Sequence, residues 1–249
     1  MRRAWAICFS LIFYPLLAVY TAAALAGLST AMSLGAPFVS HRENMRRFRR
    51  MISLYGYGII RGLARPVVRA VYVSPPRDAR KAKIFVSNHV SSSDPFFMAF
   101  LPESAVQVVN LWPFKLPVLG IFARLAGYLS IRAMSPEAFQ AAGTRLLGEG
   151  ISIIAFPEGT RSGGGPMGPF HGALFRLAQA TRTPLVPVCI VGNERTPARG
   201  SLILEPTTVR VHCLPEMPWE SYRDLTPYQL KNQVRQMIQE EVNRMRALA

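Results

Sequence analysis

The sequence predicts an α/β fold, a mostly buried sheet flanked by helices, behind an N-terminal membrane-associated helical segment. Three observations predict it. From Pro66 onward, short β-rich runs alternate with helical ones. Two of those runs, ISIIAF (151–156) and PLVPVCIVG (184–192), are continuously apolar, as strands covered on both faces are. Ala4 to Ser40 holds no Asp, Glu, Lys or Arg, a stretch longer than the roughly 20 residues a bilayer span needs.

The bulk numbers set bounds. At 249 residues the chain is long enough for one good-sized core. Hydrophobic residues make up 50% and charged ones 17%, which is apolar for a soluble protein. The formal net charge is +15, mostly arginine, since the lysines are only Lys81, Lys83, Lys115 and Lys231. Such an excess favours anionic partners: lipid headgroups, phosphorylated substrates, nucleic acid or an acidic carrier protein. Cys8, Cys189 and Cys213 form neither a CxxC nor a metal-ligand spacing, so they are expected to be small buried hydrophobes and no metal site is expected.

The elements follow in order. The segment 1–65 is expected to associate with a membrane, and 66–249 to form the α/β domain. Pro15, Gly27 and Gly35 interrupt the apolar run. It is readable as one tilted span, as two shorter helices dipping into one leaflet, or as a cleaved signal peptide ending near Ala24-Leu25-Ala26. The next stretch weighs against the third reading. Met45, Phe48, Ile52, Tyr55, Ile59 and Leu63 recur at helical steps, and Arg42, Arg46, Arg47, Arg49 and Arg50 load the helix start. A basic amphipathic helix behind an apolar segment is a membrane-surface element, with its arginines on the cytoplasmic side. An ordinary surface helix with a solvated arginine face is the simpler alternative.

Strands are expected at 67–73, 83–88, 105–110, 128–132, 151–156, 184–192 and 207–214. Helices are expected after Asp94-Pro95, over 116–127, from Ser135-Pro136 to Leu147, over 171–181, and from Thr226-Pro227 onward. The last carries an apolar stripe of Leu230, Val234, Met237, Ile238, Val242 and Met245.

Two constellations carry chemistry. The first is VSNHVSSSDPFF, with His89 and Asp94 five positions apart. Asp94 before Pro95 is adequately explained as a helix start, with the carboxylate capping free N–H groups. Chance places a histidine at that spacing in about one such chain in twenty. The functional reading is a base and its orienter: a neutral imidazole accepts a proton on Nε2 while a carboxylate holds Nδ1–H. His89 would then sit at the carboxyl edge of the sheet, where α/β ligand sites lie. A serine-hydrolase reading of Ser91, Ser92 and Ser93 fails for want of a GxSxG elbow. The second constellation is FPEGTRS: Glu158, Gly159, Thr160 and Arg161 after a buried strand. Glycine lets backbone approach a ligand, and a guanidinium fork suits phosphate. Gly163 to Gly168 spells GxGxxG, but nothing else fits a dinucleotide site, and a mobile surface loop is expected there.

His89 and Asp94 preceded by Asn88, followed by FPEGTRS, resemble the glycerolipid acyltransferase family of lysophosphatidate and glycerol-3-phosphate acyltransferases. The resemblance covers most of Lys83 to Leu214. GYLSIR resembles the family's second block, giving Arg132, and PLVPVCIVG the fourth, around Pro187. There are departures. The second block usually carries one more residue, Asn110 stands where many members have Lys, and His171 stands where a basic residue is frequent.

The resemblance implies acyl transfer from a thioester to a lysolipid hydroxyl, most simply 1-acyl-glycerol-3-phosphate giving phosphatidate. His89 would be the base and Asp94 its orienter. Glu158, Gly159, Thr160 and Arg161, with Arg132, would form the acceptor site, Glu158 meeting a hydroxyl or orienting Arg161. Backbone N–H groups near Pro95 are possible oxyanion donors. The implied donor is acyl-CoA or acyl-acyl carrier protein, with no bound cofactor. The implied location is the cytoplasmic face of the inner membrane. Glycerol-3-phosphate, another lysophospholipid or a lyso-aminolipid remain alternative acceptors. A nucleic-acid binder would interleave arginines with aromatics along a groove, and here they cluster after the apolar segment. A non-catalytic relative would have lost His89 or Asp94.

Overall fold

The computed structural model describes residues 2–35, 37–74, 81–101, 104–110 and 119–248. Lys115 and the start of the expected helix over 116–127 lie outside them. The apolar segment is one helix, α1 (Arg2–Gly35), which runs through Pro15. Ser40 caps α2 (His41–Gly58), its side chain accepting from Glu43 N–H at 3.3 Å. A short π-helical stretch, Ile59–Leu63, continues it.

One face of α1 packs on the rest of the chain. Leu204 N–H donates to the buried Ser10 Oγ at 2.9 Å. Tyr20 stacks on Tyr55 with ring centroids 5.3 Å apart, and Asn44 Nδ2 donates to the Met32 carbonyl at 3.2 Å. The opposite face leaves Leu11, Ile12 and Val19 exposed. The arginines of α2 divide. Arg46 and Arg47 pair with Glu43 on the surface. Arg49, expected in the same surface cluster, is buried and donates Nε to the Ala126 carbonyl at 3.0 Å. That bond satisfies a cation whose burial would otherwise be costly.

The α/β layers are those expected. Six strands form one sheet: β1 (Val68–Val73), β2 (Ile84–Ser87), β3 (Ala105–Val108), β4 (Ser152–Ala155), β5 (Leu185–Val191) and β6 (Thr207–Cys213). Their spatial order is β1-β6-β5-β2-β4-β3. β5, β2, β4 and β3 run parallel; β6 is antiparallel to β5 and parallel to β1. Every residue of β2, β4 and β5 is buried, as continuous apolar runs require.

Among the described residues the α-helices of this domain are α3 (Asp94–Phe97), α4 (Leu119–Leu125), α5 (Pro136–Gly148) and α6 (Ala173–Thr181), which lie between strands, and α7 (Pro227–Ala247), which follows β6. Phe139, Leu174, Phe175, Leu177, Val234 and Ile238 fill the core between α5, α6, α7 and one face of the sheet. Phe13, Ile60, Phe97 and Met98 cover the other face. Cys189 and Cys213 are buried as expected, but Cys8 is exposed on α1.

The strand expected at 128–132 does not form. Leu129 makes a single parallel bridge to Val108. Ser130 then turns the chain: its Oγ accepts from Ala133 N–H at 3.3 Å and its carbonyl from Met134 N–H at 3.1 Å. A hydroxyl competing for local backbone donors ends the ladder there.

Because β2, β4 and β5 are parallel, their carboxyl ends open on one edge. His89, Glu158 and Asn193 follow them directly. Ligand sites of α/β sheets lie at such an edge.

Candidate active site

The loop after β2 is fastened before it reaches His89. Asn88 uses its whole amide on one residue of β5: Oδ1 accepts from Ile190 N–H at 2.8 Å, and Nδ2 donates to the Ile190 carbonyl at 2.9 Å. His89 follows, its side chain 19% exposed, with the ring lying 4.6 Å from that of Phe156. Its Nδ1 is 2.8 Å from Asp94 Oδ2. An ionised carboxylate only accepts, so Nδ1 carries the proton and Nε2 is left with a lone pair.

Asp94 is 0% exposed. Its expected role as a helix cap is not what the structure shows. Ser93 occupies the cap position, and the Asp94 carboxylate turns back over the preceding loop. Oδ2 accepts from Val90 N–H at 2.6 Å and Ser91 N–H at 2.9 Å as well as from His89. Oδ1 accepts from Asn193 Nδ2 at 2.5 Å. Four donors satisfy a fully buried carboxylate. The N–H groups expected near Pro95 for an oxyanion are engaged locally: Asp94 N–H donates to the Ser91 carbonyl and Phe96 N–H to that of Ser93.

The loop after β4 runs beside this one. Ser162 N–H donates to the His89 carbonyl at 2.8 Å and Gly163 N–H to the Val90 carbonyl at 3.1 Å. Glu158, 5% exposed, joins the two loops from behind. Its Oε1 accepts from His89 N–H at 2.7 Å and its Oε2 from Gly168 N–H at 2.9 Å. Burial raises its pKa above the ordinary 4.5, while those two N–H groups pull it back. The structure thus gives Glu158 to backbone amides, and not to Arg161, one of its two expected partners, because its side chain turns inward under the loop.

Gly159 has a φ of +66°, and a Cβ there would stand 3.1 Å from His171 Nε2. That left-handed conformation turns the chain outward, so Thr160 is exposed. Arg161 is half-buried and has no carboxylate or carbonyl partner among the described residues. Arg132 is exposed on the turn after Leu129, at the same edge of the sheet. Among the described residues nothing bonds it to His89 or Arg161.

The glycine-rich stretch is more tightly held than a mobile loop. Besides the bonds of Gly163 and Gly168, Arg235 donates to the Met167 and Gly168 carbonyls, and Arg246 to that of Gly164. An apolar cavity of about 210 Å³ lies between α1, the π-helical stretch and α3, with Ser92 and Ser93 on its wall. Among the described residues no cluster of His, Cys, Asp and Glu is arranged to hold a metal ion.

Sequence reading missed Asn193, together with Thr196, whose Oγ1 lies 3.0 Å from Asn193 Oδ1. The signal available was Gly192 directly after a strand. Its φ is +90°, and a Cβ there would meet the Thr208 carbonyl oxygen at 2.2 Å. Only glycine makes that turn, which delivers Asn193 to the site.

Comparison with known proteins fits this geometry. The profile of the family described as Acyltransferase matches residues 68–191. A 1-acyl-sn-glycerol-3-phosphate acyltransferase of Limnanthes alba is 31% identical over 172 residues, 67% of this chain and 61% of the relative. The human 1-acyl-sn-glycerol-3-phosphate acyltransferase alpha is 31% identical over 195 residues, 74% of this chain and 64% of that protein. The chain therefore spans about three-fifths of the length of these curated relatives. The crystal structure of the 1-acyl-sn-glycerophosphate (LPA) acyltransferase PlsC from Thermotoga maritima superimposes with a TM-score of 0.79 at 21% identity. It covers 99% of this chain and 98% of its own, a likeness of fold along the whole length.

Proposed function

Because this chain belongs to the glycerolipid acyltransferase family, we propose that it acylates the free hydroxyl of 1-acyl-glycerol-3-phosphate from an acyl thioester, giving phosphatidate. The observation that carries the reading is the 2.8 Å contact of His89 Nδ1 with the buried Asp94, which leaves Nε2 as a lone-pair acceptor at the sheet edge.

His89 Nε2 takes the proton of the acceptor hydroxyl as that oxygen attacks the thioester carbonyl. Asp94 stabilises the imidazolium that forms. The tetrahedral intermediate collapses with cleavage of the C–S bond, and the departing thiolate recovers the proton from Nε2. The acceptor oxygen is the nucleophile, so no acyl-enzyme forms. Arg161, half-buried and unpartnered among the described residues, receives the acceptor phosphate together with Gly159 and Thr160, and Arg132 adds charge at the same edge. Glu158 holds the two loops in register from behind. The 210 Å³ apolar cavity beside Ser92 and Ser93 takes an acyl chain.

Residues 1–65 hold the α/β domain, 66–249, at the membrane. Helix α1 buries one face in protein at Ser10, Tyr20 and Met32 and offers Leu11, Ile12 and Val19 to lipid. That two-sided burial favours the helix lying along one leaflet. The thioester donors, acyl-CoA and acyl-acyl carrier protein, are cytosolic, so the domain faces the cytoplasm from the inner membrane.

The test gives the purified full chain in detergent each donor with a panel of lysolipids and glycerol-3-phosphate, beside His89→Ala. Phosphatidate formation lost in the variant is expected. Wild-type transfer by His89→Ala overturns the mechanism. Use of phosphate-free acceptors alone removes the role given to Arg161.

A further inference from the structure

We infer that Asn193 is a positioning residue for the base, acting through Asp94. It lies just beyond the matched family region, 99 positions from its partner and 0% exposed.

The two oxygens of Asp94 do different things. Oδ2 carries His89 Nδ1, Val90 N–H and Ser91 N–H. Oδ1 has Asn193 Nδ2 as its one partner among the described residues, at 2.5 Å. The terminal torsion of an aspartate is broad, so a carboxylate held on one oxygen can still rock. A bond to the second oxygen fixes the plane, and with it the direction in which the imidazole is held.

Asn193 is itself oriented. Its Oδ1 lies 3.0 Å from Thr196 Oγ1 and 3.0 Å from Ser93 Oγ. The Ser93 hydroxyl has one proton and also approaches the Thr196 carbonyl at 2.5 Å, so Thr196 is the steadier donor to Asn193. A carboxylate on one side and a hydroxyl donor on the other leave the amide one orientation. A reversed amide would set oxygen against carboxylate. The chain Thr196–Asn193–Asp94–His89 thus links the end of β5 to the base. Its members Thr196, Asn193 and Asp94 are all buried.

The role in transfer rests on the proposed reaction, and the test separates the two. Asn193→Asp keeps the shape and changes the chemistry. Two carboxylates at this distance share one proton. While the proton is held, the new carboxyl replaces the amide as donor to Asp94. Once it is lost, the contact turns repulsive. The kcat of Asn193→Asp relative to wild type is therefore expected to fall about ten-fold as pH rises from about 6 to 9, with KM changed by less than about two-fold. Asn193→Ala is expected to lower kcat about ten-fold at every pH. Thr196→Val, which removes only the outer donor, is expected to act in the same direction by less and keeps the proposal testable should Asn193→Ala fold poorly.

A pH-independent ratio for Asn193→Asp, or kcat within about two-fold of wild type for both Asn193 variants, overturns the proposal. The second readout needs no substrate. The imidazole carbon-bound protons of His89, identified by their loss in His89→Gln, are titrated by NMR in wild type and Asn193→Ala. A midpoint moved by about half a pH unit or more is expected. An unmoved midpoint overturns the coupling even if the reaction catalysed proves to be another.

Discussion

The described residues include two histidine–carboxylate pairs of nearly equal length. His89 Nδ1 meets Asp94 at 2.8 Å, and His212 Nδ1 meets Glu241 at 2.6 Å. Their surroundings differ. Asp94 lies under a loop at the carboxyl edge of the sheet and, among the described residues, accepts only from uncharged donors and His89. Glu241 sits on α7, takes two bonds from Arg244, and reaches His212 in the body of β6. The second pair is already balanced by a guanidinium and ties a helix to a strand. A dyad is thus equipped for proton transfer by where it stands and by what else shares its carboxylate. The contact itself is common to both.

The sharpest way to break this contrast is to remove each histidine in turn. His89→Ala is expected to lower acyl transfer by about 10²–10⁴-fold, the usual contribution of a positioned base. His212→Ala should leave kcat unchanged and lower the melting temperature. A large kcat loss in His212→Ala with an unchanged melting temperature would overturn the distinction. Asp94→Asn should cost about as much activity as His89→Ala. With its oxygen on the Oδ2 side, its amide nitrogen faces Asn193 Nδ2, and two donors oppose each other where 2.5 Å now separates donor from acceptor. Leaving that bond unmade adds a stability loss of about 1–3 kcal/mol, measurable by denaturant unfolding.

The sequence distinguished these pairs only in part, for a reason of scale. His89 and Asp94 are close enough along the chain for their spacing to be visible, and the two constellations lie on strand ends that apolar runs reveal. His212 and Glu241 are 29 positions apart, and Asn193 is 99 from Asp94. No periodicity links such positions: the pairing of β5 with β2 brings Asn193 to Asp94, and the packing of α7 on the sheet brings Glu241 to His212. Glu158 shows a second limit. Its residue type was legible as part of a site, but its direction was not, since an inward turn onto two backbone N–H groups has no sequence signature. The same holds for Ser130, whose hydroxyl converts an alternating pattern into a turn.

Arg161 sharpens the contrast from the substrate side, because it is a cation on the loop that bonds to the His89 loop and no carboxylate balances it among the described residues. Arg161→Ala should raise KM for 1-acyl-glycerol-3-phosphate by about 10–100-fold, the worth of a charge-assisted contact of about 1.5–3 kcal/mol. The KM for the thioester should change little, and Arg161→Lys should restore part of the loss. Equal effects on both substrates would remove Arg161 from the acceptor site. Glu158→Gln tests the support behind the first pair. Glutamine accepts on one oxygen only, so either His89 N–H or Gly168 N–H meets a second donor. A stability loss of about 1–3 kcal/mol is expected, and kcat should fall with little change in KM. A variant as stable as wild type would show that the two loops do not depend on this carboxylate.

The smallest expected effect belongs to the second pair, and it is read through pH. Arg244 first, and His212 after it, hold the Glu241 carboxyl below its ordinary 4.5. A carboxyl with a lowered folded-state pKa contributes stability that is complete above the unfolded value and is lost as pH falls through the folded one. Glu241→Gln should therefore melt below wild type at neutral pH, and the gap should close as pH falls below about 4.5. The gap should be modest, because the Arg244 side chain is 57% exposed and water screens the pair. If the gap persists unchanged into acid, packing of the side chain and not its charge sets the contribution. If the gap closes as expected, the second pair differs from the first in chemistry as well as in place, since Asp94 has no cationic side chain among its described donors to lose.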